Sequence, residues 1–239
     1  MIHRFEVVDS TQDLAHQLAA DGAAAGTTVI AREQRGGRGT RGRPWIAPVG
    51  GLWFSTVVRP AEVAIECLSL RVGLAVAEAV ESASNGERVQ LKWPNDLILR
   101  DRKLGGILVE ARWVGERFTW AVVGVGINVV NPIPTALASE AICLADAVPA
   151  AMPATIEATV VEAVRMAAAL AAGTLDRGEL ARFAARDWLR GRTLPNPPGA
   201  RFDGITGKGE LIVALPDGQR TSLAGPRSLA DLAGALGPI

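Results

Sequence analysis

Between Gln34 and Trp53 the chain reads QRGGRGTRGRPWIAPVGGLW, with six glycines, four arginines and two tryptophans in twenty residues. That density is incompatible with a packed core. Glycine lets backbone amides approach an anion closely and take up positive φ, while arginine supplies a permanently charged, bidentate fork for phosphate or carboxylate. A flat tryptophan beside such a loop can cover a purine or another planar ring. The flanks, Gly26 to Ala31 and Leu52 to Val58, are β-rich and apolar, so the stretch is expected to be a loop held between two strands inside a domain. A disordered linker or an RNA-binding tail would lack those flanks. Gly37, Gly39 and Gly42 spell G-x-G-x-x-G, but Arg43-Pro44-Trp45 leads on to Pro48 and Gly50-Gly51 instead of a helix, which excludes the dinucleotide fingerprint. The residues imply a loop that closes over a nucleotide or an acyl-adenylate.

The rest of the chain has to supply a scaffold for that loop. At 239 residues it is long enough for one ordinary domain and a small second one. Its 25 basic and 25 acidic residues balance, so no global charge draws it to nucleic acid or membrane; the basic character is local to the loop. No apolar run approaches the roughly 18 residues of a membrane span, and the start, MIHRFEVVDS, is too polar for a signal peptide, so the expected compartment is the cytoplasm. Cys67 and Cys143 are isolated in apolar surroundings and read as buried thiols. With only His3 and His16 there is little material for a histidine-centred metal site or triad, and His16 is expected at the surface.

In chain order, Asp9 to Asp13 precede an alanine-rich segment with Leu14 and Leu18 four apart, where a helix should start, capped by Ser10 or Thr11 with Asp13 completing a capping box. A strand over residues 28–32 delivers Gln34 to the loop, and a second over 52–58 leaves it. Cys67, Leu70, Leu74, Ala77 and Val80 mark a core-facing helix that stops near Asn85-Gly86. Next comes a strand over 89–99, broken at Trp93-Pro94-Asn95-Asp96; proline cannot donate to a ladder, so the break belongs at a sheet edge or bend. Lys92 ends an apolar strand just before that rigid corner, which would hold a cation at one fixed point. Arg100 to Lys103 forms a polar hairpin tip. The strands that follow carry Gly105, Gly106, Gly124 and Gly126, and glycines within strong strands suggest a ligand lying across the sheet. Helices are expected over 156–172 and 175–189, then short strands around 202–206, 211–215 and 220–223. The domain boundary is placed near residue 190, giving 1–190 and 191–239.

Five of these motifs, in this order, resemble the biotin protein ligases: Ser10-Thr11, Gly37-Arg38-Gly39 through Arg43, Lys92-Trp93-Pro94-Asn95-Asp96, Gly105-Gly106-Ile107-Leu108-Val109-Glu110, and Gly124-Val125-Gly126-Ile127-Asn128. The resemblance covers nearly the whole chain and is to the monofunctional form, since no helix-turn-helix segment precedes residue 1. It implies an α/β (α+β) fold with a mixed sheet backed by helices in a class II synthetase-like catalytic domain, followed by a small SH3-like β-barrel. It implies activation of biotin by ATP to biotinyl-5′-AMP, with Mg²⁺ expected beside the nucleotide, and transfer to a lysine of a biotin carboxyl carrier protein; a homodimer is compatible with it. By the same resemblance Ser10, Thr11 and Gln34 meet the biotin head group. Gly37 and Arg38 line it too, and Gly105, Gly106, Gly124 and Gly126 leave it room. Lys92 and Arg38 are the catalytic cations, Thr40, Arg41 and Arg43 join Arg38 on the nucleotide, Trp45 packs near the adenine, and Asn128 contacts the nucleotide side. No protein metal ligand announces itself.

Three positions depart from the family pattern: Thr40 replaces a basic residue of the loop, Gln12 a commoner asparagine, and Pro226 follows Ala224-Gly225 where an acidic residue is frequent. The rivals are a lipoate or octanoate ligase of the same fold, whose acyl pocket should be apolar where Ser10, Thr11 and Gln34 are polar, and a nucleic-acid-binding module, which zero net charge disfavours.

Overall fold

The computed structural model describes residues 1–59, 64–84, 86–170, 173–194 and 198–224. Seven strands form one mixed sheet: β1 (Ile2–Val8), β2 (Thr28–Gln34), β3 (Leu52–Val58), β4 (Gln90–Lys92), β5 (Asp96–Leu99), β6 (Arg102–Val114) and β7 (Arg117–Ile127), in the order β1-β2-β3-β7-β6-β5-β4. β1 and β2 run parallel and the other neighbours antiparallel. Helix α1 (Thr11–Ala20) covers one face. Helices α2 (Ile65–Ala83) and α3 (Pro153–Ala169) cover the other, with α4 (Arg177–Ala184) against α2.

Side-chain alternation decides which face does what. On β3, whose seven residues are all buried, Leu52, Phe54 and Val58 enter the large core with α2 and α3, while Val57 meets Ala15 and Ala19 of α1. On β7, Ala121, Val123, Val125 and Ile127 point to the large core, so Val122, Gly124 and Gly126 face the side of α1. Helix α2 buries residues almost all round, as a helix packed on both a sheet and other helices must.

The break at Trp93-Pro94-Asn95-Asp96 lies beside the sheet edge, as expected: β4 is the last strand, and Asn95 ties the corner to β6 by donating from Nδ2 to the Ile107 carbonyl at 2.7 Å while its own carbonyl accepts from the Ile107 amide at 2.9 Å. The final helix is shorter than its sequence pattern. It stops at Ala184 because residues 186–188 pair with the β4 edge instead, Leu91 donating to the Arg186 carbonyl at 2.8 Å and Trp188 to the Leu91 carbonyl at 3.0 Å. β1 carries no local pattern that reveals it: its residues are exposed or half-exposed, and its place at the other edge rests on backbone pairing with β2.

A second sheet, β8 (Arg201–Ile205), β9 (Leu211–Ala214) and β10 (Arg220–Leu223), is antiparallel and matches the three short strands read from the sequence and the small SH3-like unit. It docks on the first unit through Phe202, Leu211 and Val213, and the Trp93 indole donates to the Gly209 carbonyl at 2.8 Å. Gly225 and Pro226, read above as a departure from the family pattern, lie outside the described residues, as does Asn85.

Candidate active site

A cavity of about 470 Å³ opens on the α1 face of the large sheet, between the start of α1, the glycine and arginine loop, the middle of β6 and β7, and the chain that follows β7. Its α1 end is a buried, uncharged hydrogen-bond chain. Ser10 caps α1, its Oγ accepting from the Asp13 amide at 3.4 Å. Thr11 donates from its backbone N to Gln34 Oε1 at 2.8 Å, and its hydroxyl lies 3.0 Å from that same oxygen and 2.9 Å from Ser55 Oγ. Ser55 reaches Gln12 Oε1 at 3.0 Å, and Gln12 Nε2 donates to the Val122 carbonyl at 3.1 Å. A backbone N–H can only donate, so its bond to Gln34 fixes that amide with Nε2 turned away from Thr11. Two hydroxyl protons serve three contacts, which leaves acceptor capacity for a ligand. Ser55, 1% exposed within an otherwise apolar strand, is the member that sequence reasoning passed over, although a lone serine in LWFSTVV was its signal.

The four glycines expected to make room for a ligand divide. Gly106, Gly124 and Gly126 line the cavity and Gly105 does not: it faces the other side of the sheet, where a Cβ would lie 3.2 Å from Leu97 and 2.4 Å from the Gly126 carbonyl. Neighbours in a strand point to opposite faces, so Gly105 and Gly106 could never both serve one ligand. Parts of the chain itself occupy the space at two of the others. A Cβ on Gly124 would stand 2.5 Å from Gln12 Oε1, and one on Gly126 would meet the Trp45 indole at 2.8 Å. Trp45 therefore packs against the sheet at Gly126, edge-on to Trp53 at 6.3 Å. Lys103 Nζ stands 5.4 Å from its ring centre.

The two lysines exchange places relative to the sequence reading. Lys92 does not line the cavity; its ammonium sits 5.1 Å from the ring centre of Trp188, and burial holds its pKa below the usual lysine value. Lys103 lines the cavity, paired at 2.6 Å with Asp96 Oδ1. The cause is register. Asp96 opposes Gly106 but the β5–β6 ladder slips between Leu97 and Ile98, and this irregularity sets where the hairpin-tip lysine stands.

Arg38 is held by protein carboxylates. Its Nη1 donates to Asp13 Oδ2 at 2.7 Å and its Nη2 to Glu110 Oε2 at 3.1 Å, which raise its pKa further above the ordinary arginine value, Asp13 contributing most. Asp13 thus serves the loop, not a capping box. His16 is buried, not at the surface: its Nδ1 accepts from the Trp120 indole at 3.0 Å, so the ring proton is on Nε2, which approaches Glu110 Oε2 at 3.3 Å without the alignment of a hydrogen bond. Contact with His16, then with Arg38, pulls the Glu110 carboxyl down to about 2 from 4.5. A depressed carboxyl stabilises the fold above its unfolded pKa and loses that contribution as pH falls through the folded value. Thermal melting is expected to show this: between about pH 4.5 and 2 the wild type should lose on the order of 1 to 2 kcal/mol more stability than Glu110→Gln. Parallel pH profiles for the two proteins would show that the Glu110 carboxylate does not stabilise the fold through Arg38 and His16.

Of the remaining loop residues, Thr40 and Arg43 line the cavity. Arg41 is exposed, at φ 62° within the short turn Thr40–Gly42, and Gly37 packs under the loop with its carbonyl accepting from the Trp45 amide at 2.8 Å. Asn128 follows β7 at the far side of the cavity, where Ile133, Pro134 and Leu137 form an apolar wall. Among the described residues no group of three or more His, Cys, Asp or Glu gathers to hold a metal ion, and Cys67 and Cys143 are buried and unpaired.

The model of the biotin/lipoate A/B protein ligase family matches residues 4–128. The bifunctional ligase/repressor BirA of Bacillus spizizenii is 38% identical over 128 residues, a match spanning 52% of this chain and 39% of that protein. The biotin acetyl-CoA-carboxylase ligase of Paracoccus denitrificans is 38% identical over 126 residues, 52% of each chain. The chain thus spans about half the length, or less, of these curated relatives. Among solved structures, the biotin protein ligase from Aquifex aeolicus in complex with biotin and ATP superposes with a TM-score of 0.78 at 23% identity, covering 94% of this chain and 95% of that one. At that identity the likeness is one of fold.

Proposed function

We propose, for a chain that belongs to the biotin/lipoate A/B protein ligase family, the ATP-dependent ligation of biotin to a lysine of a carrier protein. The observation that carries the reading is the cavity that joins an uncharged hydrogen-bonding end, built from Thr11, Gln12, Gln34 and Ser55, to Lys103 and the arginine-bearing loop. A ureido head group offers one carbonyl acceptor and two N–H donors, and the α1 end answers with an amide donor on Gln34 and unsatisfied hydroxyl lone pairs. A lipoyl or octanoyl chain, which has no polar head, would cover the Gln34 amide and the hydroxyl lone pairs without offering them a partner.

In this reading the biotin carboxylate oxygen forms a bond to the α-phosphorus of ATP while the bond to pyrophosphate breaks. The amine of the carrier lysine then forms a bond to the activated carbonyl carbon and AMP leaves. Lys103, beside the cavity floor, balances the negative charge that both steps concentrate at one point. Arg43 faces the phosphates, Arg38 holds the loop down, and Gly106 leaves the reacting end unobstructed. Mg²⁺ would arrive with the nucleotide and offset phosphate charge, since the described residues gather no carboxylate cluster to hold it. Residues 1–190 are the catalytic unit and 191–239 the C-terminal β unit, the partner is a biotin carboxyl carrier domain, and the setting is the cytoplasm. No helix among the described residues is long and apolar enough to cross a membrane. The test is pyrophosphate release from ATP: it is expected with biotin and not with lipoate or octanoate, and release independent of the acid would overturn the reading.

Thr40 lines the cavity, at the loop position where the family resemblance implies a cation. A charge-assisted contact to a desolvated phosphate contributes about 1.5–3 kcal/mol, so Thr40→Arg is expected to slow dissociation of labelled biotinyl-5′-AMP roughly tenfold or more. Filter binding without carrier measures it, and equal off-rates would remove position 40 from intermediate retention.

A further inference from the structure

We propose that Asn131 determines which face of the Asn128 amide meets the nucleobase, and so makes the site selective for a purine that offers a ring-nitrogen acceptor beside an amino group. The inference rests on the ligase reading, which places the nucleotide at this end of the cavity.

The argument is one of donor and acceptor polarity. Asn128 and Asn131 are both buried, 7% and 4% exposed, and both line the cavity. The Val129 backbone N–H, which can only donate, ends on Asn131 Oδ1 at 3.0 Å. The other end of that amide is therefore Nδ2, and it donates to Asn128 Oδ1 at 3.1 Å. Asn128 must then turn its own Nδ2 away from Asn131. Asn131 is itself pinned: its carbonyl accepts from Cys143 Sγ at 3.1 Å, and its backbone packs so tightly on Gly50 that a Cβ there would lie 2.9 Å from the Asn131 nitrogen.

An amide donor beside an apolar wall of Ile133, Pro134 and Leu137 suits a base edge better than a phosphate, which would call for charge. On adenine, Nδ2 meets the N7 acceptor, and the second lone pair of Oδ1 can take the amino hydrogen next to it. On guanine the same Oδ1 would face the O6 acceptor. Asn131 is thus a positioning residue that acts through Asn128. Asn131→Asp inverts the relay: one carboxylate oxygen still accepts from Val129, the other needs a donor, and Asn128 must turn round and present Oδ1 to the base.

The experiment measures biotin-dependent pyrophosphate release by the full chain with ATP and with 7-deaza-ATP, in which N7 is replaced by C–H. For the wild type the KM for 7-deaza-ATP is expected about five- to tenfold above that for ATP, the loss of one buried hydrogen bond. In Asn131→Asp the KM for ATP should rise about tenfold and the preference for ATP vanish or reverse, with the KM for biotin unchanged. Asn131→Ala, which frees Asn128 without adding charge, should weaken the preference without reversing it, and it decides the matter if the aspartate variant does not fold. Equal KM values for the two nucleotides in the wild type, or a wild-type ratio retained in the variants, would overturn the proposal. If no protein releases pyrophosphate with biotin, the ligase reading fails separately, and calorimetric affinities for ATP and 7-deaza-ATP then decide the proposal by the same ratio.

Discussion

Lys103→Ala is expected to lower kcat/KM for biotin-dependent pyrophosphate release by about 10²–10³-fold, with a melting temperature close to that of the wild type. Fixed charge aimed at a developing anion in a closed site is worth that much in rate. The same ammonium contributes little to folding, because its partner Asp96 still stands opposite Lys92 across the β4–β5 pair when it is gone. Lys92→Ala is the control. Lys92 covers Trp188 instead of the cavity, so its loss should slow the reaction by less than a tenth of the Lys103 effect. Transition-state stabilisation by Lys103 would show as a fall in kcat; a rise in KM alone would make Lys103 a ground-state contact. Equal losses at the two lysines, or a larger one at Lys92, would return the catalytic cation to the corner before Trp93.

The largest effect on stability is expected at Arg71→Met. Arg71 and Glu179 join α2 to α4 with both side chains only 8% exposed, and Arg71 Nη2 donates to Glu179 Oε2 at 3.0 Å. The guanidinium also ties down the Leu170 carbonyl at 2.6 Å and the Thr174 carbonyl at 3.2 Å. Removing one partner of a buried pair leaves the other charge uncompensated, which costs about 3–5 kcal/mol and, for a chain of this size, about 6–20 °C in Tm. The double variant Arg71→Met with Glu179→Leu should recover part of that loss, since it leaves no orphaned charge, although the Leu170 and Thr174 carbonyls and the Asp176 amide still lose their partners. Arg71 holds the Glu179 carboxyl below its ordinary range, so the contribution of the pair is present above about pH 4.5 and fades as pH falls through the lower folded value. The gap between the wild type and the single variant Arg71→Met should close on acidification, as protonation removes the orphaned charge of Glu179. A single variant that melts within about 2 °C of the wild type would mean that the pair carries no net stability.

How much of this protein was legible in its residues depends on the distance over which the information is stored. The loop from Gly36 to Trp45, its two flanking strands, the corner at Trp93-Pro94, the three short strands of the small sheet and the cap at Ser10 are written within a few residues each. Their physics is local: glycine φ, the missing amide of proline, the period of two in a strand, a hydroxyl over the first turn of a helix. The same period of two is enough to put Gly105 and Gly106, as neighbours in one strand, on opposite faces of the sheet.

Tertiary structure decided the rest. The side on which Lys103 stands turns on one irregularity in the β5–β6 ladder, and strand register follows from the burial of whole faces, not from any property of the lysine. Asp13, His16, Arg38 and Glu110 carry no mutual signal along the chain; they meet because α1 and the loop settle on the same face of β6, where each charge finds its counter-charge. Asn131 is a loop residue until the backbone of Val129 fixes the direction of its amide. Sequence alone sets the local conformations, because those depend on neighbours a few bonds away, while the fold entered through the resemblance of five motifs to the biotin protein ligases. The chemistry of the site depends on groups up to about a hundred residues apart, and only the closing of the sheet against α1 brings them within hydrogen-bonding distance.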